Sequence, residues 1–184
     1  MNIYIIANNL HLNENDINRI NSKIKLNPED LVIRINSFPK KLNNLLFGKT
    51  THLYYRCGNN FCHTKRFDNF LGNDINYGLI MWKGDDKELL QKIVYDSKKI
   101  IPSEYLYIQD ELYDLLKDSP STGLVLIFNY LKKYKKSNIY LVGFNFENDG
   151  DSEHAKMYKA HSFNKESKIV KILQKITKRL YFLN

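Results

Sequence analysis

Three stretches of this sequence gather side chains able to do chemistry. Asp149-Gly150-Asp151 is an Asp-x-Asp triplet, and two carboxylates at that spacing can hold a divalent cation against a diphosphate. Cys57, Cys62 and His63 offer two thiols and an imidazole, soft ligands of the kind zinc takes. Their number and spacing match neither the four-ligand structural site nor the usual three-ligand catalytic one, so reduced thiols near a strand end are the better reading. Ser119-Pro120-Ser121-Thr122-Gly123 is a turn of short polar residues placed to cap a helix. Such a start presents unpaired backbone N–H groups to an anion, and a phosphate is the natural occupant.

Outside these stretches the chain alternates apolar runs with helical patterns. Residues 2–7 are apolar without alternation, as in a strand covered on both faces, and Leu31–Ile35, His52–Arg56, Gly78–Trp82, Tyr105–Ile108 and Asn138–Gly143 read alike. Helices are expected over Glu14–Ser22, Lys87–Ser97, Glu111–Lys117, Gly123–Tyr134 and Lys165–Lys178, with a last strand at Leu180–Leu183. Strands alternating with helices imply one α/β domain over residues 1–184, a mostly parallel sheet with helices on both faces. The long Asn-, Asp- and Gly-rich stretch from Phe144 to Phe163 is expected to be a flexible loop.

Open parallel sheets bind ligands beyond the carboxyl ends of their strands. That rule puts Asn8-Asn9, Asn36-Ser37, Ser121-Thr122-Gly123 and the segment after Gly143 on one rim. All are good hydrogen-bonding partners for a sugar or a base edge. No glycine-rich phosphate motif follows the first strand, which disfavours nicotinamide enzymes and nucleoside triphosphatases, and there is no serine-elbow pattern.

The same rim carries a family resemblance. Ser119-Pro120-Ser121-Thr122-Gly123-Leu124, a helix, and then Ile139-Tyr140-Leu141-Val142-Gly143-Phe144-Asn145-Phe146 resemble the small sialylmotif of the animal family 29 sialyltransferases and its counterpart in bacterial family 42. His161 with Glu166 is similar to the H-x-x-x-x-E of the last family 29 motif, and Ala160-His161-Ser162 to the catalytic-histidine segment of family 42. Tyr4-Ile5-Ile6-Ala7-Asn8-Asn9 and Ile33-Arg34-Ile35-Asn36-Ser37-Phe38 resemble the first two strands, in family order.

The resemblance implies a Rossmann-like, sialyltransferase-type variant of the GT-A fold. It implies an inverting, metal-independent transfer of sialic acid or a related acidic sugar from a CMP-sugar donor to a glycan or glycolipid acceptor, as in lipooligosaccharide or capsule biosynthesis. By position, His161 would be the general base and Glu166 its catalytic partner. Asn9, Asn36, Ser121, Thr122, Gly123 and Asn145 would contact the substrates, and His154 or Tyr158 would steady the leaving phosphate. An imidazole titrating near neutrality suits removal of a proton from a sugar hydroxyl. Glu166, near the start of the last helix, is placed to cap that helix or to orient the imidazole. No metal and no cofactor are expected.

Composition narrows the partners. Lys and Arg outnumber Asp and Glu by 28 to 20, a formal charge of +8, as suits anionic substrates or an anionic surface. Lys165, Lys168, Lys171, Lys175, Lys178 and Arg179 line one side of the last helix, with Ile169, Ile172, Leu173 and Ile176 on the other, facing the sheet. Peripheral membrane contact through this helix is one expected partnership and self-association another; aromatic residues are not interleaved with basic ones as in RNA-binding modules, so nucleic acid is not expected. The expected location is the cytoplasm or the inner face of its membrane, since no window reaches the roughly 18 apolar residues of a span. The rival readings are a metal-dependent transferase using Asp149 and Asp151, a degenerate non-catalytic relative, and a basic membrane- or glycan-binding protein.

Overall fold

The computed structural model describes residues 1–8, 11–36, 40–56, 74–82, 84, 86–88, 102–144 and 162–183. Among these residues seven strands form one sheet: β1 (Asn2–Ile6), β2 (Leu31–Ile35), β3 (His52–Arg56), β4 (Asn76–Met81), β5 (Glu104–Tyr107), β6 (Asn138–Val142) and β7 (Leu180–Leu183). Their order is β5-β4-β3-β2-β1-β6-β7, and every pairing is parallel. The α/β expectation holds, with a wholly parallel sheet. Strand order reverses between β1 and β6, which is where such sheets open a crevice at their carboxyl ends.

Four α-helices flank the sheet among the described residues: α1 (Glu14–Ser22), α2 (Asp110–Leu116), α3 (Thr122–Lys133) and α4 (Phe163–Thr177). The expected helix over Lys87–Ser97 lies almost entirely outside the described residues. Strand side chains alternate between two covered faces. Ile3, Ile5, Ile33 and Ile35 pack with Leu112, Leu124, Ile127 and Val170 of α2, α3 and α4. Tyr4, Ile6 and Val32 pack instead with Ile17 and Ile20 of α1 and with Leu42, Leu45 and Leu46. That two-sided burial is why the strands carry unbroken apolar runs.

Two short 3₁₀ turns, Lys40–Leu42 and Leu45–Gly48, lie where the sequence pattern marks no element. Arg34 explains them. Its side chain points from β2 into the apolar face beside Val32 and is only 1% exposed. The guanidinium donates to the carbonyls of Leu42 (3.1 Å), Asn43 (3.3 Å) and Leu45 (3.0 Å), and Nε donates to Thr50 Oγ1 (2.9 Å). The segment thus wraps its carbonyls around one buried cation, and Leu46 and Phe47 accept left-handed φ values of 54° and 56° to do so. Burial lowers the Arg34 pKa to about 10.

The last helix meets expectation in part: Ile169 and Leu173 pack against the core, but the buried side is shifted from the one expected. Glu166, Ser167 and Val170 turn inward, whereas Ile172 and Ile176 are 55% and 72% exposed. Arg179 is likewise not part of a solvated basic face: its guanidinium donates to the carbonyls of Leu131, Tyr134 and Ser137 and closes the end of α3. No helix among the described residues is long and apolar enough to cross a membrane.

Candidate functional site

The carboxyl ends of the strands meet the N-terminus of α3, and one asparagine joins them. Asn36 follows β2 with a left-handed φ of 49°, a conformation asparagine tolerates better than most residues. Its amide donates to Thr122 Oγ1 at 3.3 Å, while its Oδ1 accepts the Arg56 N–H at 3.1 Å. The ends of β2 and β3 and the first residue of α3 are therefore tied through a single side chain. Asn8, after β1, donates to the Ile35 carbonyl at 3.0 Å and closes the rim on the other side.

Ser121 is the N-cap of α3, its Oγ accepting the Leu124 N–H at 3.2 Å. The same residue meets Glu166, whose Oε1 accepts the Ser121 N–H and whose Oε2 accepts the Ser121 hydroxyl, both at 2.6 Å. Glu166 is fully buried. Burial raises its pKa to about 7, against the opposing pull of the two Ser121 bonds and the Arg56 charge. Of the roles expected for Glu166, capping its own helix gives way to securing the start of a neighbouring one, while orientation of His161 concerns a residue outside the described ones.

The N–H groups of Thr122 and Gly123 carry no acceptor among the described residues. They point the positive end of α3 into the rim. Gly123 is a glycine because of Phe144: a Cβ at that position would lie 2.8 Å from the Phe144 Cε1. The ring is delivered by Gly143, which turns the chain after β6 with φ of 69°.

Three residues that sequence reasoning did not single out for the site, Arg56, Trp82 and Asp118, complete this cluster. The Arg56 guanidinium donates to the Pro120 carbonyl and to Ser119 Oγ (2.6 Å) and lies 5.6 Å from the centre of the Trp82 ring. Asp118 accepts the Ser119 N–H at 2.8 Å and the Ser162 hydroxyl at 2.7 Å, fastening the turn to the start of α4. Arg56 and Trp82 sit at the carboxyl ends of β3 and β4. A polar or aromatic residue closing an apolar run was their only signal, and that signal is common.

Of the residues nominated from sequence, the structure thus unites Asn36 with Thr122 and Ser121 with Glu166, and places Gly123 beside both pairs. His161, Asn9, Asn145, His154 and Tyr158 lie outside the described residues, as do Cys57, Cys62, His63, Asp149 and Asp151. Chemically, the described part sets two backbone donors on buried residues at a helix start beside the Glu166 carboxylate and a guanidinium held over an indole. No family model matches the chain, and comparison with curated proteins and with solved structures likewise finds no match.

Proposed function

We propose that the chain is a glycosyltransferase that binds a CMP-linked acidic sugar, such as CMP-sialic acid, on the carboxyl rim of its sheet. The observation that carries this reading is the clasp of Asn36 on Thr122 and on the Arg56 backbone. It gathers strand ends near the β1/β6 reversal around the Thr122 and Gly123 N–H groups at the start of α3. A nucleotide phosphate has the charge and the lone pairs to fill that position. The basic balance of the chain favours the same class of ligand.

The choice of cytidine, and of sialic acid or a close relative, is supported by the resemblance of the Ser119–Leu124 and Ile139–Phe146 segments to the sialyltransferases. In this reading the fold is a Rossmann-like GT-A variant. The acceptor hydroxyl oxygen bonds to the anomeric carbon from the face opposite the leaving group, the bond from that carbon to the CMP phosphate oxygen breaks, and His161 takes the hydroxyl proton. The phosphate departs already charged and needs little acid assistance. Glu166 acts by holding Ser121, and through it the start of α3, in the binding geometry.

Calorimetric titration with CMP and with UDP tests the donor class. Selective binding of CMP is expected, and indifference to both nucleotides overturns the proposal. For the base, His161→Ala is expected to abolish transfer from CMP-sialic acid to a panel of glycans while CMP affinity stays within about threefold. Undiminished transfer would place the base elsewhere.

A further inference from the structure

The outer face of α4 is the one place where the described residues combine exposed aliphatic side chains with concentrated positive charge. Ile172 and Ile176, one turn apart, are 55% and 72% exposed. Lys168, Lys171 and Lys175 stand exposed around them, with no ion pair among the described residues. The only acid of the helix, Glu166, is buried on the opposite side against Ser121. By contrast, α1 buries both of its central isoleucines, Ile17 and Ile20.

The charge extends beyond the helix. Arg179 draws the carbonyls of Leu131, Tyr134 and Ser137 to the end of α4, at 3.3, 2.7 and 2.9 Å. That contact draws the segment carrying exposed Lys135 and Lys136 toward the C-terminal end of the helix, where Lys178 is exposed as well.

We infer that this face docks the chain on an anionic lipid bilayer, with α4 lying in the plane of the interface. Isoleucines at the boundary between headgroups and acyl chains, with lysine stems reaching up to lipid phosphates, is the arrangement that interfacial helices adopt. Juxtaposed lysines supply attraction to an anionic leaflet that a neutral surface lacks. A second copy of the chain is disfavoured as occupant, because a symmetric contact would set Lys168, Lys171 and Lys175 against themselves. The inference is independent of the donor reading, since it involves neither the rim nor a nucleotide.

The test is co-sedimentation of the full chain, without nucleotide, with vesicles of phosphatidylcholine alone or of equal parts phosphatidylcholine and phosphatidylglycerol. The chain is expected to pellet only with the anionic vesicles, and less so as salt is raised. Ile172→Ser with Ile176→Ser, and separately Lys168→Gln with Lys171→Gln and Lys175→Gln, should each weaken partitioning about tenfold or more. Unchanged melting temperatures keep these variants informative, as all five positions are exposed. No pelleting by the parent chain, equal pelleting with neutral vesicles, or retention unaffected by either set overturns the inference. So does a dimer in sedimentation velocity that the isoleucine variant dissolves while vesicle binding is absent.

Discussion

Glu166 of α4 grips Ser121, the residue that caps α3, through both carboxylate oxygens at 2.6 Å. Two helices are thereby joined by a buried acid, with no water shell to lower the cost of its charge.

Burial of that acid, only partly offset by its bonds to Ser121, makes stability fall as pH rises. The carboxyl pKa is raised from 4.5 to about 7 in the fold, so the native state binds the proton more tightly than the unfolded chain does. Its stabilising contribution is complete below the unfolded pKa and is lost as pH climbs through the folded one. Across that window the loss is on the order of 3 kcal/mol. Glu166→Gln should remove this slope, read as melting temperature against pH by circular dichroism. A slope unchanged by the substitution would show that another group titrates.

Arg34 is a structural cation, and its removal should show in stability alone. Arg34→Met leaves the carbonyls of Leu42, Asn43 and Leu45 without their donor, at a cost of about 3 kcal/mol or more. Arg34→Lys should restore less than half, because one ammonium cannot fork to these carbonyls and Thr50 together. Urea denaturation midpoints give the comparison; full rescue by lysine would mean that charge, and not the fork, matters.

At Asn36 backbone and side chain can be separated. Asn36→Gly keeps the left-handed φ of 49° and loses only the clasp, whereas Asn36→Ala loses the clasp and is strained there as well. Alanine should be the less stable by about 1 kcal/mol, while both should bind CMP weakly. Equal stability of the two would remove the conformational argument.

Gly123→Ala sets two effects against each other. Alanine favours a helix by roughly 0.5–1 kcal/mol, but its methyl would meet Phe144 at 2.8 Å, and overpacking costs about 1–3 kcal/mol. Net destabilisation is expected, and Phe144→Leu in the same chain should recover part of it. A more stable single variant would show that the ring moves aside freely.

Much of this architecture is legible in the sequence because burial on both faces leaves its mark on the central strands. Asn2–Ile6, Leu31–Ile35 and Asn138–Val142 read as strands since neither face needs polar residues. The helix face is harder to read. Apolar residues on α4 span an arc wider than its contact, and Glu166 and Ser167, polar by composition, occupy the inward side. With Glu166 turned toward Ser121, Ile172 and Ile176 rotate to solvent, which periodicity alone does not reveal. Arg34 hides for a similar reason, as nothing local shows that distant carbonyls will surround it. Of the rim, the turn chemistry of Ser121 and Asn36 was visible; the pairings across 45 and 86 residues were not.

Gly78 of β4 makes room for a tyrosine on the α3 face of the sheet. The Tyr54 phenol on β3 donates to Glu104 on β5 and shares a 2.8 Å hydrogen bond with Tyr130 of α3, while Lys133 donates to the same glutamate at 2.6 Å. To reach that far, the ring lies over Gly78 of β4, where a Cβ would come within 2.2 Å of it. A slip of β4 by two residues would bring Asn76 or Ile80 beneath the phenol, and neither leaves room. One absent side chain therefore fixes the register of three parallel strands, a task that hairpin turns perform in antiparallel sheets.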